Sequence, residues 1–109
     1  MTDIELLIDK LIQFRDARDW DQFHNPKDLA LAINVEAAEL LELYLWKNPD
    51  EANKEKIKEE LADIFSFSLL LANKYGFDVK QIILDKISSN DLKYPVDKAK
   101  GNSKKYTEL

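Results

Sequence analysis

Glu36 with Glu39 and Glu60 with Asp63 form two carboxylate pairs, each spaced three residues apart and each set in the most apolar stretches of the chain. Residues three apart on a helix lie one above the other on the same face, so each pair aims its oxygens at one place. Four such donors make a hard-cation site. All-oxygen ligation of this kind suits Mg²⁺, which is commonly held by a few carboxylates together with waters and substrate phosphates. Phosphate chemistry with Mg²⁺ as cofactor is the implication. The structural alternative for Glu36 and Asp63 is pairing with lysines or capping of backbone. Either way an uncompensated buried acid costs several kcal/mol, so inward acids need a partner. Glu51, Glu55 and Glu59 lie in a polar run and read as a solvated face.

The elements that must position these acids are helices. Ile4, Leu7, Ile8, Leu11 and Ile12 mark a first helix running toward Arg18, followed by a polar-aromatic link from Asp19 to His24. Asn25-Pro26 is a start signal, a capping side chain followed by a proline suited to the first helical position. The second helix is expected to run to about Lys47 and to stop at Asn48-Pro49. Its stripe is Leu29, Ile33, Ala37, Leu40, Leu41 and Tyr44, with Glu36 at the edge. Asp50 is expected to cap a third helix, polar at first and apolar from Leu61 to Ala72, where Asp63 is the single charged residue. Such a helix should be central and mostly covered until Gly76 ends it. Asp78 caps a fourth, with Val79, Ile82, Ile83 and Ile87 as its stripe, ending near Lys93 because Tyr94-Pro95 continues it poorly. Beyond Pro95 the chain turns basic and is expected to be loose.

Composition agrees with an all-α domain. The 109 residues are 45% hydrophobic and 34% charged, with two glycines and three prolines, too little punctuation for a strand-rich fold. The expectation is a single domain over 1–109, with about 95–109 as a basic tail. With no cysteine, neither a disulfide framework nor a thiolate metal site is available. An acidic start at Met1-Thr2-Asp3-Ile4-Glu5 and the lack of a membrane-length apolar run lead to the expectation of a cytoplasmic protein without a membrane partner. The net charge of -5 argues against a nucleic-acid partner, because non-specific affinity comes mainly from basic residues neutralising phosphates.

Glu36-x-x-Glu39, 20 intervening residues and Glu60-x-x-Asp63 resemble the metal-binding pattern of the MazG-like all-alpha nucleoside triphosphate pyrophosphohydrolases. The stretch from Phe14 to Pro26, with Arg15, Asp16, Arg18, Trp20, Phe23 and His24, and the ending from Lys93 to Leu109 are similar to the dCTP pyrophosphatase branch. The likeness covers residues 8 to 109. It implies a four-helix bundle assembled as a homo-oligomer, dimer or tetramer, that hydrolyses deoxynucleoside triphosphates to the monophosphate and pyrophosphate with Mg²⁺. The metal ligands so implied are Glu36, Glu39, Glu60 and Asp63. Three departures, Val35, Leu45 and Phe67, stand where that family or branch tends to carry Glu, Gln and Tyr; the last two bear on base preference.

Further roles follow from residue type and from the likeness together. One acid must accept a proton from the attacking water, and Glu39 and Glu59 are the two candidates. Lys86, Asn90, Lys93 and Tyr94 match the branch pattern Lys-x-x-x-Asn-x-x-Lys-Tyr-Pro and would reach the triphosphate substrate, as would Lys105 and Tyr106 of the tail. Trp20, Phe23, His24 and Trp46 are the candidates for the base, since flat rings stack and a histidine hydrogen-bonds a ring edge. Trp20 and Phe23 have a structural alternative, stapling the link to the core. A ferritin-like di-iron bundle wants Glu-x-x-His pairs, and the single histidine here is in none. A non-catalytic helical dimerisation module would explain the apolar helices but has no need of inward acids.

Overall fold

The computed structural model describes residues 1–109. It is all-helical, with five α-helices, three 3-10 turns and no strand. The chain separates into two compact units, Met1–Phe77 and Asp78–Leu109.

In the first unit, α1 spans Asp3–Ala17, α2 Pro26–Glu42 and α3 Lys54–Lys74. Each begins on a side-chain cap that satisfies amides left free in the first turn. Thr2 and Glu5 form a reciprocal capping box on α1, with bonds of 3.1 and 3.0 Å. Asn25 accepts from the Asp28 amide at 2.9 Å, with Pro26 at the first helical position. Asn53 accepts from the Glu55 and Lys56 amides at 3.0 and 3.1 Å. Gly76, at φ +69, closes α3 with a paired bond set, its own amide to the Asn73 carbonyl and that of Phe77 to the Ala72 carbonyl. A left-handed residue is needed there, and glycine takes that conformation without a Cβ penalty.

Two boundaries differ from the sequence expectation. α2 stops at Glu42 rather than near Lys47, because the amides of Leu43, Tyr44 and Leu45 bond three residues back instead of four. These tightened turns end at Trp46, whose φ of +63 takes the chain out of helical space. Asp50 does not cap α3. Pro49–Glu51 forms a 3-10 turn in which Asn48 holds Glu51, and the capping oxygen comes from Asn53.

α3 is the middle of this unit, packed most extensively on α2 and secondly on α1. The seam with α2 is periodic on both sides: Leu29, Ile33, Glu36 and Leu40 of α2 with Leu43 just past its end, and Ile57, Glu60, Ile64, Phe67 and Leu71 of α3, all buried or half-buried. Leu29 is 1% exposed. α3 is not covered all round, as its apolar composition suggested. Phe65 is 63% exposed and, with Leu7, Leu11, Phe14, Ala62 and Leu69, lines an open apolar cleft on the face α3 turns toward α1. Two neighbours cover only two sides of a helix. Ser66 and Ser68 keep their hydroxyls satisfied by donating to the Ala62 and Ile64 carbonyls at 2.7 Å.

The second unit holds α4, Val79–Lys93, capped by Asp78, and a one-turn helix α5, Val96–Ala99. Its tail carries local structure beyond Pro95. A 3-10 turn at Tyr106–Glu108 sets the Tyr106 ring edge-on to Tyr94 at 6.1 Å, and the Lys93 ammonium lies 5.0 Å over the Tyr106 ring. An edge-on aromatic contact and a cation–π contact give this basic segment a reason to fold back.

Candidate functional site

Glu36 and Glu60 occupy the α2/α3 seam where apolar side chains would otherwise sit, and Asp63 stands one turn along α3 at its edge. Carboxylate oxygens of these three lie within 4.8 Å of one another. Glu39 stands beside Glu36 on α2 without entering that trio, and Glu59 is exposed on α3. None of the five acids forms an ion pair, the lysine alternative for Glu36 and Asp63 included. One oxygen of Glu60, Oε2, is buried and lacks any hydrogen-bond partner. A buried acceptor left bare is costly unless a ligand satisfies it.

The electrostatics report the same crowding. The facing Glu60 carboxylate, then partial burial, then Glu39 beside it and the charge of Asp63 push the Glu36 carboxyl up to about 7 from 4.5. Like charges that converge without a cation titrate upward, and a divalent ion reverses that logic. The donor set fits Mg²⁺: oxygens only, net negative, with one oxygen already desolvated.

His24 packs edge-on against Phe67 at 6.2 Å, one helical turn beyond Asp63 on the same side of α3. Its Nδ1 is buried and unpartnered, the only such side-chain atom besides the Glu60 oxygen. Trp20 is engaged elsewhere, edge-on to Phe14 at 5.8 Å and near the Arg18 guanidinium, which lies 3.6 Å over the Phe14 ring. Trp20 nonetheless stays 43% exposed and Phe14 51%, and Phe23 is 62% exposed. Trp46 is 99% exposed. In the second unit, Lys86, Asn90 and Lys93 follow at helical spacing on exposed α4 positions, and Tyr94 and Tyr106 meet as described. Lys105 precedes the terminal 3-10 turn.

One cluster lies outside the residues that the sequence marks as candidates. Arg15, only 9% exposed, binds Asp16 through Nε at 2.9 Å and Asp21 through Nη1 at 3.2 Å, and Lys74 of α3 binds the same Asp21 oxygen. The available signal was that Arg15 continues the Ile8, Leu11 and Ile12 stripe of α1, where an apolar residue belongs. The Lys74 hydrogen bond, opposed by partial desolvation and aided by Arg15, holds the Asp21 carboxyl below its ordinary 3.8.

The fold and the site define a class, all-α proteins in which acids of two adjacent helices converge within their shared seam. Comparison narrows this. The profile of the MazG-like family matches residues 31–109. The dCTP pyrophosphatase 1 of Bos taurus is 39% identical over 106 residues, and that of Homo sapiens 36% over 105. Each alignment covers 89% of this chain, which spans 62% of the length of those relatives. The crystal structure of a pyrophosphatase from Archaeoglobus fulgidus superposes with a TM-score of 0.81 at 35% identity, over 87% of this chain and 94% of that one. The chain belongs to the MazG-like family. No helix is long and apolar enough to cross a membrane.

Proposed function

We propose that the protein is a Mg²⁺-dependent nucleoside triphosphate pyrophosphohydrolase acting on deoxynucleotides, with dCTP or a modified relative as the first substrate to test. The observation that carries this reading is the trio Glu36, Glu60 and Asp63, converging within 4.8 Å and lacking any basic partner. The relatives named dCTP pyrophosphatase 1 supply the substrate suggestion. In this reading Glu36, Glu60 and Asp63, with Glu39 beside them, hold the cation. Mg²⁺, when bound, neutralises phosphate oxygens and polarises water. Glu39 or Glu59 takes the proton as water oxygen bonds to the α-phosphorus and the bond to the bridging oxygen breaks. Pyrophosphate leaves and the nucleoside monophosphate remains.

His24 offers a desolvated ring nitrogen to the base, and Trp20 and Trp46 offer ring faces. Lys86, Asn90, Lys93, Tyr94, Lys105 and Tyr106 carry the triphosphate contacts on the family pattern. The homo-oligomer and the cytoplasmic setting belong to the same proposal, as does a role in cleansing the nucleotide pool. Pyrophosphate release is to be measured over a panel of canonical and modified triphosphates with Mg²⁺ and with chelator. Turnover by wild type that chelator and Asp63→Asn abolish supports the reading, and a panel with no turnover above background retires it in favour of a binding module.

A further inference from the structure

Nineteen side-chain hydrogen bonds are formed, and in all but one the partners lie within four residues of each other. The exception joins Asp21 to Lys74, 53 positions away. Asp21 is thus a polar latch between the link that follows α1 and the far end of α3, and Arg15 of α1 grips the same oxygen. A solvated surface pair would contribute little. Here the Arg15 side chain is 11% exposed and the Lys74 side chain 24%, while the Asp21 carboxylate they share is 52% exposed, so the latch is covered on its cationic side and open to solvent on its acidic one.

What the latch holds is the chain on both sides of Asp21. The Trp20 amide bonds the Arg15 carbonyl at 3.1 Å, and the His24 amide bonds the Asp21 carbonyl at 3.0 Å across the 3-10 turn Asp21–Phe23. Asn25 then caps α2. The His24 backbone is fixed by Asp21 on one side and by the start of α2 on the other, and its ring rests on Phe67. The unpartnered Nδ1 therefore sits where the latch places it, one turn of α3 from Asp63.

We propose that Asp21, gripped by Arg15 and Lys74, is a positioning residue that sets His24 against Phe67 and so determines how tightly and how selectively the base of a nucleoside triphosphate is held. This inference rests on the pyrophosphohydrolase reading. The base lies away from the phosphorus that reacts, so contacts to it are the same in the ground and transition states; losing them raises KM and leaves kcat. A merely structural role has the opposite signature, since a smaller folded fraction lowers apparent kcat at constant KM.

The test is steady-state kinetics on Asp21→Ala, Lys74→Met and the double variant, with Mg²⁺ and the triphosphate best used by wild type. Asp21→Ala is expected to raise KM about tenfold with kcat within about twofold, the scale of a misplaced binding group. Lys74→Met should move KM in the same direction, the double variant should be no worse than Asp21→Ala, and Lys74→Arg should restore wild-type KM. Preference between the best and second-best base should narrow. His24 is the single histidine, so its ring protons also give an unambiguous NMR signal. Adding a non-hydrolysable deoxynucleoside triphosphate should shift that signal in wild type, and in Asp21→Ala only at higher concentration. Should Asp21→Ala fail to fold, Lys74→Met and its arginine control carry the same comparison. Wild type without turnover defeats the parent reading. An active wild type whose latch variants keep KM, base preference and the histidine shift overturns the latch, as does a loss confined to kcat.

Discussion

Replacing Glu36 by glutamine should stabilise the metal-free protein and remove its response to Mg²⁺. The rise of this carboxyl from 4.5 to about 7 corresponds at most to about 3.5 kcal/mol, at roughly 1.4 kcal/mol per pH unit. Glu39 and Asp63 are exposed, and solvent screening brings the figure down to about 1 kcal/mol. Between pH 4.5 and 7 the folded state keeps a proton that the unfolded state has released, so stability falls as pH rises through this window. The deficit is complete above pH 7 and absent below 4.5, where both states are protonated. Glutamine carries no such charge. Thermal unfolding by circular dichroism in chelator at pH 8 should therefore place Glu36→Gln about 4 °C above wild type, narrowing to no difference near pH 4.5. With Mg²⁺ at pH 8 the order should reverse, because only wild type gains the linkage energy of a bound cation. A melting temperature of wild type that ignores both pH in this window and Mg²⁺ would refute the convergence of charge at the α2/α3 seam.

Asp63→Asn should abolish Mg²⁺-dependent turnover while changing the melting temperature in chelator by no more than a few degrees, since the side chain is exposed; activity retained at ordinary Mg²⁺ would remove it from the ligand set. Asn53→Ala, which strips the cap from α3, should cost about 1 kcal/mol in urea denaturation, and an unchanged midpoint would contradict the capping geometry. At Gly76 a Cβ meets no neighbour within 4 Å, so the cost of Gly76→Ala is backbone strain alone, about 1 kcal/mol. Stabilisation by that alanine would show that the left-handed turn is not retained.

What is legible in a sequence depends on how local its cause is. Asn25-Pro26, Asp78 and Gly76 mark ends of helices through atoms within three residues, and the elements begin and stop there. The end of α2 has no such mark. Leu43 to Lys47 are ordinary helical residues, and the chain leaves the helix because their amides tighten and Trp46 turns left-handed. Asp50 and Asn53 are both capping types; Pro49 draws Asp50 into a 3-10 turn and Asn53 inherits the role. Folding of the tail onto Tyr94 was hidden because Tyr106 has no periodic partner. The meeting of Glu36, Glu60 and Asp63 could be read from helical phase, since Glu36 and Glu60 fall in register with the leucines and isoleucines of the seam. Phase also explains Glu39, which lies off the center of that face. Asp21 and Lys74 share no phase, and only the docked helices reveal them.

Trp46 combines a left-handed backbone with an indole almost fully in solvent, a conformation that costs a bulky residue on the order of 1 kcal/mol. Its fluorescence should accordingly resemble that of free indole and stay open to a soluble quencher, while Trp20 is partly shielded by Phe14 and Arg18. The chain thus carries its own optical gauge of cover. An emission shift that follows nucleotide at fixed protein concentration signals a ligand over this ring, whereas one that follows protein concentration alone signals another copy.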